Sequence, residues 1–534
     1  MKRKIKYILL FLVPLLLMRC ANQVAPTGGP KDVTPPKVVG TKPANGSVGF
    51  IGSKIQITFD EYITLNNATR ELLVSPPLTT KPDVKLSNKT VTVKFKENLR
   101  PNTTYTIDFG AAIKDFHEGN QFNDYRYSFS TGEVLDSLSL SGTVLFADNE
   151  KPAADLLVGL YADADSVFFL PLRQAPDFIA KTDKDGHFTF YGLPDQRFFV
   201  TALEDMNANL YHDLPNERVA FIDTLVSPTA SAPLTLHAFA EADTTQALLE
   251  SKLVEEGLLR FVFRQPATDV TITSVNRLPD TFKNIQVWSP DHDTLCWYFT
   301  PGVSDSLRVN IHGNIDTLVN RTSLFNLNYR STKTRNERAA KTLMVSNNLK
   351  NNLLMPGDDL LLHFKEPVVD VRLIDSIRFE QADEYGMSYR FVASADDLAD
   401  CDLQIPDSVF YSLRGYTNAA VNLKFKRAEE ANLGAIIIKV CPPAQGQVIV
   451  QLLNNRGAVM DQQIVDCPSE VAFRQLVPGK YKLQAIIDAD HNGRWSTGNL
   501  LRHALPEAVV PYKNDLEVRA GWDIAPDETW EPCP

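Results

Sequence analysis

Cysteine is scarce in this chain, with six in 534 residues. None forms a CxxC pair or interleaves with histidine, so the ligand spacing of a structural zinc site is missing. The nine histidines are scattered singly. No GxSxG elbow, GxxxxGK(S/T) loop, GxGxxG turn or HExxH helix occurs. The nearest approach, His117-Glu118, continues as Gly119, Asn120 and Gln121, without a second histidine one helical turn on. Basic charge is also short: the net charge of −11 excludes the concentrated positive surface that nucleic acid requires. Beyond the first twenty residues no apolar run is long enough to cross a bilayer.

Those first twenty residues stand apart. Lys2, Arg3, Lys4 and Lys6 precede an apolar run from Tyr7 to Met18, and the run ends at Cys20. This is the order of a secretory signal, with residues 1–19 as the leader. Leu17 three positions before Cys20 resembles a lipobox, although Arg19 replaces the usual small residue. The expectation is a lipid-modified Cys20; the alternative is an ordinary signal or an uncleaved anchor with an incidental cysteine. Residues 20–36 carry Pro26, Pro30, Pro35 and Pro36 around Gly28-Gly29, a composition that stays extended at about 3.1 Å per residue and serves as a tether.

From there the chain alternates apolar and polar residues with period two. Ile55, Ile57 and Phe59 alternate with Lys54, Gln56 and Thr58; Val91, Val93 and Phe95 follow, then Tyr105, Ile107 and Phe109, then Tyr125, Tyr127 and Phe129. Helical periodicity is confined to short stretches at 336–344 and 427–433. The fold class is therefore all-β, as serial antiparallel sandwiches. Two patterns recur. An alternating run ending in Phe-x-Glu/Gln occurs at Ile55–Glu61, Leu259–Gln265 and Leu360–Glu366. A strand, turn, strand and Asp/Asn-rich loop occurs once from Gly186 to Asn209 and again from Val471 to Gly493.

Three features of residues 35–132 carry a family likeness: the opening Thr41–Gly46, the strand ending Phe59-Asp60-Glu61, and Leu99–Tyr105 leading to Phe129–Gly132. This segment resembles the bacterial Ig-like domain of surface-layer proteins. The second pattern resembles the transthyretin-like or carboxypeptidase-regulatory-like sandwich. With the Cys20 start, the whole resembles multi-domain envelope lipoproteins of Bacteroidota. The divisions that follow are an Ig-like domain at 37–132, a transthyretin-like sandwich at 138–238, Ig-like β-domains at 250–345 and 346–430, a second transthyretin-like sandwich at 433–525, and a tail at 526–534. A rod of modules hung from the anchor is the expected shape.

Candidate sites are few. Asp488, Asp490 and Asn492 followed by Gly493 place oxygen side chains at alternate positions, as in the first half of a calcium loop. Asn499 stands where the bidentate glutamate of such a loop belongs. The competing reading is an Asx-type turn in which the side chains cap their own backbone. The counterpart is Asp205, Asn207 and Asn209, with Leu210 in the glycine position. Calcium is the one cofactor this points to. Cys441 and Cys467 could pair across neighbouring strands. Trp288, Trp297, Trp495, Trp522 and Trp530, with Phe168-Phe169 and Phe198-Phe199, would serve either as core or as a sugar-stacking platform.

The reading that results is a non-enzymatic lipoprotein of the outer membrane, facing the periplasm, that holds an envelope protein partner. No acidic run follows Cys20 of the kind associated with export to the cell surface. A glycan-binding surface adhesin is the second reading, and an unrecognised hydrolase or accessory module within 250–430 the third.

Overall fold

A computed structural model describes residues 32–123, 125–162, 167–229, 232–242, 246–275, 277–302, 305–313, 321–327, 342–372, 377–392, 400–443 and 446–532. Cys20, the tether up to residue 31 and Cys533 lie outside the described residues.

Alternation becomes burial directly. In the first unit Lys54–Phe59 pairs antiparallel with Thr90–Lys94, in a register that sets Ile55 opposite Val93 and Ile57 opposite Val91. All four side chains are fully buried, and Phe129 closes the other side of this core with Phe50, Phe95 and Tyr105 around it. The sheet order is Val38–Lys42, Lys54–Phe59, Thr90–Lys94, Asp83–Ser87, facing the three-stranded sheet of Leu73–Ser75, Thr104–Asp108 and Arg126–Ser130.

The second unit is one seven-stranded sheet folded over a single core. Its ends are Phe178–Lys181 and His187–Leu193, and Leu138–Phe146 runs parallel to Leu234–Ala240. Two further units follow, with cores drawn from Leu259 to Leu327 and from Leu343 to Phe425. The last has a sheet centred on Gly434–Val440 and another ordered Val459–Val465, Gln447–Asn454, Gly479–Asp488, Val509–Pro511. The chain is thus all-β. Of the short helical stretches expected, 427–433 holds one 3-10 turn at Glu430–Asn432; 336–341 lies outside the described residues, and Thr342–Leu343 is a strand.

The junctions between units are built, not loose. Ile179 donates its N–H to Ser75 Oγ at 3.0 Å, and Arg126 lies 4.0 Å over the Tyr191 ring, joining the first unit to the second. Arg414, in the fourth unit, is almost fully buried. Its Nε donates to Glu366 Oε2 at 2.6 Å and its Nη1 to Glu255 Oε2 at 2.9 Å, reaching back into the third unit. Removing Glu366 would strand the buried Arg414 charge within the fourth unit, and the pair holds the guanidinium in place for Glu255, which is half-exposed at the junction. Met355, Ala428 and Leu433 pack with Val477 between the fourth and fifth units.

The expected rod is overturned. Leu500 of the last unit is buried in a cluster with Tyr161, Phe199, Val219, Phe221 and Phe239 of the second. The string of units therefore turns back on itself. The physical reason is visible in Phe198–Leu203, where every residue is buried: Phe198, Val200 and Ala202 face their own core, while Phe199 on the other side packs in the cluster that Leu500 joins.

Candidate functional site

The loop carrying Asp488, Asp490 and Asn492 begins where the strand Gly479–Asp488 leaves its sheet. Asp488 is fully buried, and its two oxygens accept the N–H groups of Asn492 at 3.1 Å and Gly493 at 2.9 Å. Asp490 Oδ1 accepts Asn492 N–H at 3.2 Å, while its Oδ2 accepts the Ser496 hydroxyl at 2.8 Å. Asn492 turns its carbonyl oxygen to Arg494 N–H at 2.7 Å and donates its amide to Asp490 and Ser496. Two residues take left-handed backbone, His491 at φ 58° and Gly493 at φ 73°.

Sequence reasoning missed Glu507. It lies just before Val509–Pro511, the strand that pairs with Gly479–Asp488, and so the sheet carries it under the loop. Its carboxylate accepts Ala489 N–H at 2.7 Å and Ser496 N–H at 2.8 Å. Asp488, Asp490 and Glu507 thereby bring carboxylate oxygens within 4.8 Å of one another, the one such group among the described residues. Asn499, at the position of the missing glutamate, instead exchanges hydrogen bonds with Ala504 in a hairpin of its own. The Ser496 hydroxyl holds the Asp490 carboxyl below its ordinary value, and burial pushes that of Glu507 up.

The counterpart loop repeats this design in most of its bonds. Asp205 accepts the N–H groups of Asn209 and Leu210 at 3.1 and 2.9 Å, and Asn209 Oδ1 accepts Tyr211 N–H at 2.8 Å. Ala208 and Leu210 take the left-handed backbone, with φ 58° and 68°. Glu217, fully buried, accepts Met206 N–H at 3.1 Å, as Glu507 accepts Ala489 N–H. One pair is exchanged. Where the second loop sets Asp490 against Ser496, the first sets Asn207 against Asp213, donating its amide at 3.0 Å. The carboxylate has changed sides within the same contact. Comparing the copies is the signal that would have found Glu507, because a glutamate closes both loops.

Chemically, both loops are turns clamped from below by a buried glutamate, each oxygen of which accepts backbone N–H. The Asx-turn description accounts for the bonds that Asp488, Asp490 and Asn492 accept from backbone N–H groups. The remaining carboxylate lone pairs of Asp488, Asp490 and Glu507 are hard-oxygen donors of the type calcium takes.

Other candidates are dispersed. Cys441 and Cys467 are free thiols. Cys441 lies beside Trp530, whose carbonyl accepts its N–H, while its Sγ turns to Pro442 O; Cys467 is exposed in the turn between Val459–Val465 and Ser469–Leu476. Val440 pairs with Ser469, which brings the two cysteine-bearing segments together at the end of neighbouring strands. Among the described residues the aromatics form no shared platform. Trp297 is buried, Phe198 and Phe199 face opposite cores, Trp288 stacks on His292, and Trp530 packs edge-on to Tyr512. Trp495 fills the space between the second and last units, and Trp522 is exposed alone. The side chain of Phe168 lies outside the described residues.

The fold and this site define a chain of β-domains with clamped loops. Comparison with known proteins narrows one part of it. Residues 32–131 match the bacterial Ig-like domain family, and this segment is such a domain. No curated protein matches the chain. Among solved structures it is similar to the N-terminal part of the bacterial S-layer protein SbsC, at 14% identity and a TM-score of 0.14, covering 55% of this chain and 44% of that one, so less than half its length. It is also similar to the Bacillus anthracis TIE protein, at 11% identity and TM-score 0.15, covering 93% and 74% of the two chains. BcpA, the major pilin subunit of Bacillus cereus, matches at 9% identity and TM-score 0.17, covering 74% and 99%.

Proposed function

We propose that this chain is a non-enzymatic cell-envelope lipoprotein with a structural or protein-interaction role. Cys20 carries the lipid and residues 20–36 act as the tether; the leaflet is that of the outer membrane, and the folded part faces the periplasm. The units at 138–238 and 433–525 are read as transthyretin-like sandwiches. The observation that carries the reading is the character of the junctions. The Arg414–Glu255 bridge and apolar contacts such as that of Leu500 fix the β-domains against one another, which suits a scaffold presenting a surface. The open groove at the tip of the first domain supports it as well. It is lined by Lys42, Pro43, Ser47, Phe50, Ile51 and Lys54 among others, without a histidine or carboxylate.

Labelling of growing cells with a clickable fatty acid tests the anchor: the protein takes up label, and Cys20→Ser does not. An unlabelled parent chain overturns the lipoprotein reading. Protease shaving of intact cells tests the placement, since rapid loss of the protein assigns it to the cell surface. Pull-down from detergent-solubilised envelopes then identifies the partner.

A further inference from the structure

The two clamped loops differ most in what lies between clamp and turn. In the first, only residues 214–216 separate Asp213 from Glu217; in the second, residues 497–506 separate Ser496 from Glu507. That longer stretch reaches the second unit. Thr497 Oγ1 donates to Ala240 O at 2.6 Å, and Leu500 N–H donates to Glu241 Oε1 at 2.5 Å. Gly498 lies so close to the Phe239 ring that an added Cβ would stand 2.6 Å from it, so only glycine fits. His503 packs 5.7 Å from Phe169 and 6.3 Å from Phe221, centroid to centroid. Two hydrogen bonds thus join this stretch to the second unit.

The receiving side is equally specific. Glu241 is gripped from the other direction by His212 Nε2 at 3.3 Å, and the buried His212 lies 3.9 Å through Nδ1 from Glu217, the clamp of the first loop. One loop thus supplies the socket and the other the plug. Trp495 backs the plug from within its own unit: its indole donates to Glu507 O at 3.0 Å and packs on Ile449, Ile486 and Val509. The face beneath is apolar and aromatic: Phe199, Phe221 and Phe239 pack there with Leu170 and Leu172 of their own unit, and undocking would uncover the part that Leu500 and Trp495 fill, a patch of the kind soluble surfaces rarely leave uncovered.

We propose that residues 497–506 form an intramolecular latch. Docked on the Phe199/Phe221/Phe239 face, it closes the string of domains into a ring; released, it leaves that face open in an extended form of the same chain.

The test uses the chain from residue 21 onward in dilute solution. A cysteine pair, Ala240→Cys with Thr497→Cys, reports closure by disulfide trapping, located by peptide mapping because native thiols are present. The parent traps the pair and scatters as a compact particle. Leu500→Asp puts a carboxylate into the apolar site, slows trapping by about tenfold or more, enlarges the radius of gyration and raises binding of a hydrophobic dye. Replacing 497–506 by the 214–216 sequence does the same without a buried charge, with unchanged far-ultraviolet circular dichroism showing that the sandwich is intact. Undiminished trapping in a compact Leu500→Asp chain overturns the latch, as does a parent that is extended and fails to trap.

Discussion

The loops at 205–217 and 488–507 put one local design to two uses. In both, a buried aspartate caps two N–H groups, two left-handed residues turn the chain, and a buried glutamate clamps the turn from below. The first ends there and acts as a socket through His212. The second is extended and crosses to the other unit through Leu500. What the pair teaches is that the clamp and the contact are separable: the clamp fixes the turn, and length added beyond the turn decides what the loop touches.

The largest expected effect comes from removing the clamps. Glu217→Ala leaves the N–H groups of Met206, Asp213 and Leu214 without an acceptor, and Glu507→Ala leaves those of Ala489 and Ser496. Each is expected to cost about 1–3 kcal/mol in the unfolding of its own unit, since hydrogen bonds to a charged acceptor contribute about that much and these donors are only partly buried. Denaturant melts followed by hydrogen exchange of each loop check this. If Glu507→Ala is silent while Glu217→Ala is not, the two loops are not the same device.

The exchanged pair offers a sharper and smaller test. Asn207→Asp alone sets two exposed carboxylates against each other beside Asp213 and should cost about 0.5–1 kcal/mol. Adding Asp213→Ser recreates the Asp490–Ser496 arrangement and should recover most of that loss, a coupling that a double-mutant cycle measures directly. Additive effects would show the resemblance of the two contacts to be superficial.

The comparison also shows what was readable in advance. Ile55, Ile57, Val91 and Val93 gave the first sandwich because alternation encodes which side of a strand is inward, and all four are buried. Alternation is silent about what covers the other side. The adjacent Phe198 and Phe199 point in opposite directions, so burying both requires a neighbour on each face; that run was the sign of a covered outer face, which the expected rod left out. Asp488 and Asp490 were found because they are close along the chain. Glu507 was not, because only strand pairing with Gly479–Asp488 brings it beneath them. Trp495 could not be assigned between core and sugar platform, since its role depends on a unit more than two hundred residues earlier in the chain.

Acid should separate the loops next. The Asp490 carboxyl is held below its ordinary value of 3.8, first by the Ser496 hydroxyl. A depressed carboxyl contributes stability above its unfolded value that is lost as pH falls through the folded one. The deficit of Asp490→Asn relative to the parent should therefore be full at neutral pH and vanish progressively below 3.8, whereas Asn207, at the equivalent position of the first loop, gives no such dependence. A deficit independent of pH would mean that Asp490 acts by shape alone.

Calcium is the finest discriminator. Asp488, Asp490 and Glu507 come within 4.8 Å, so three negative charges share a small volume. Left to Coulomb repulsion they would be unfavourable, and either a cation or aligned donors must offset it. The donors are present: the N–H groups of Asn492, Gly493, Ala489 and Ser496 all end on these carboxylates. The first loop reaches the same bonds with Asn207 in place of the second aspartate and Asp213 in place of Ser496, so the turn closes with the carboxylate on either side of that contact. Millimolar calcium is therefore expected to move the unfolding midpoint of the last unit by less than about 1 °C, because a ligand stabilises only as it exceeds its dissociation constant. A shift of several degrees that is abolished by Asp490→Asn and absent from the 205–217 loop would instead make the exchanged carboxylate the feature that distinguishes a cation site from a turn.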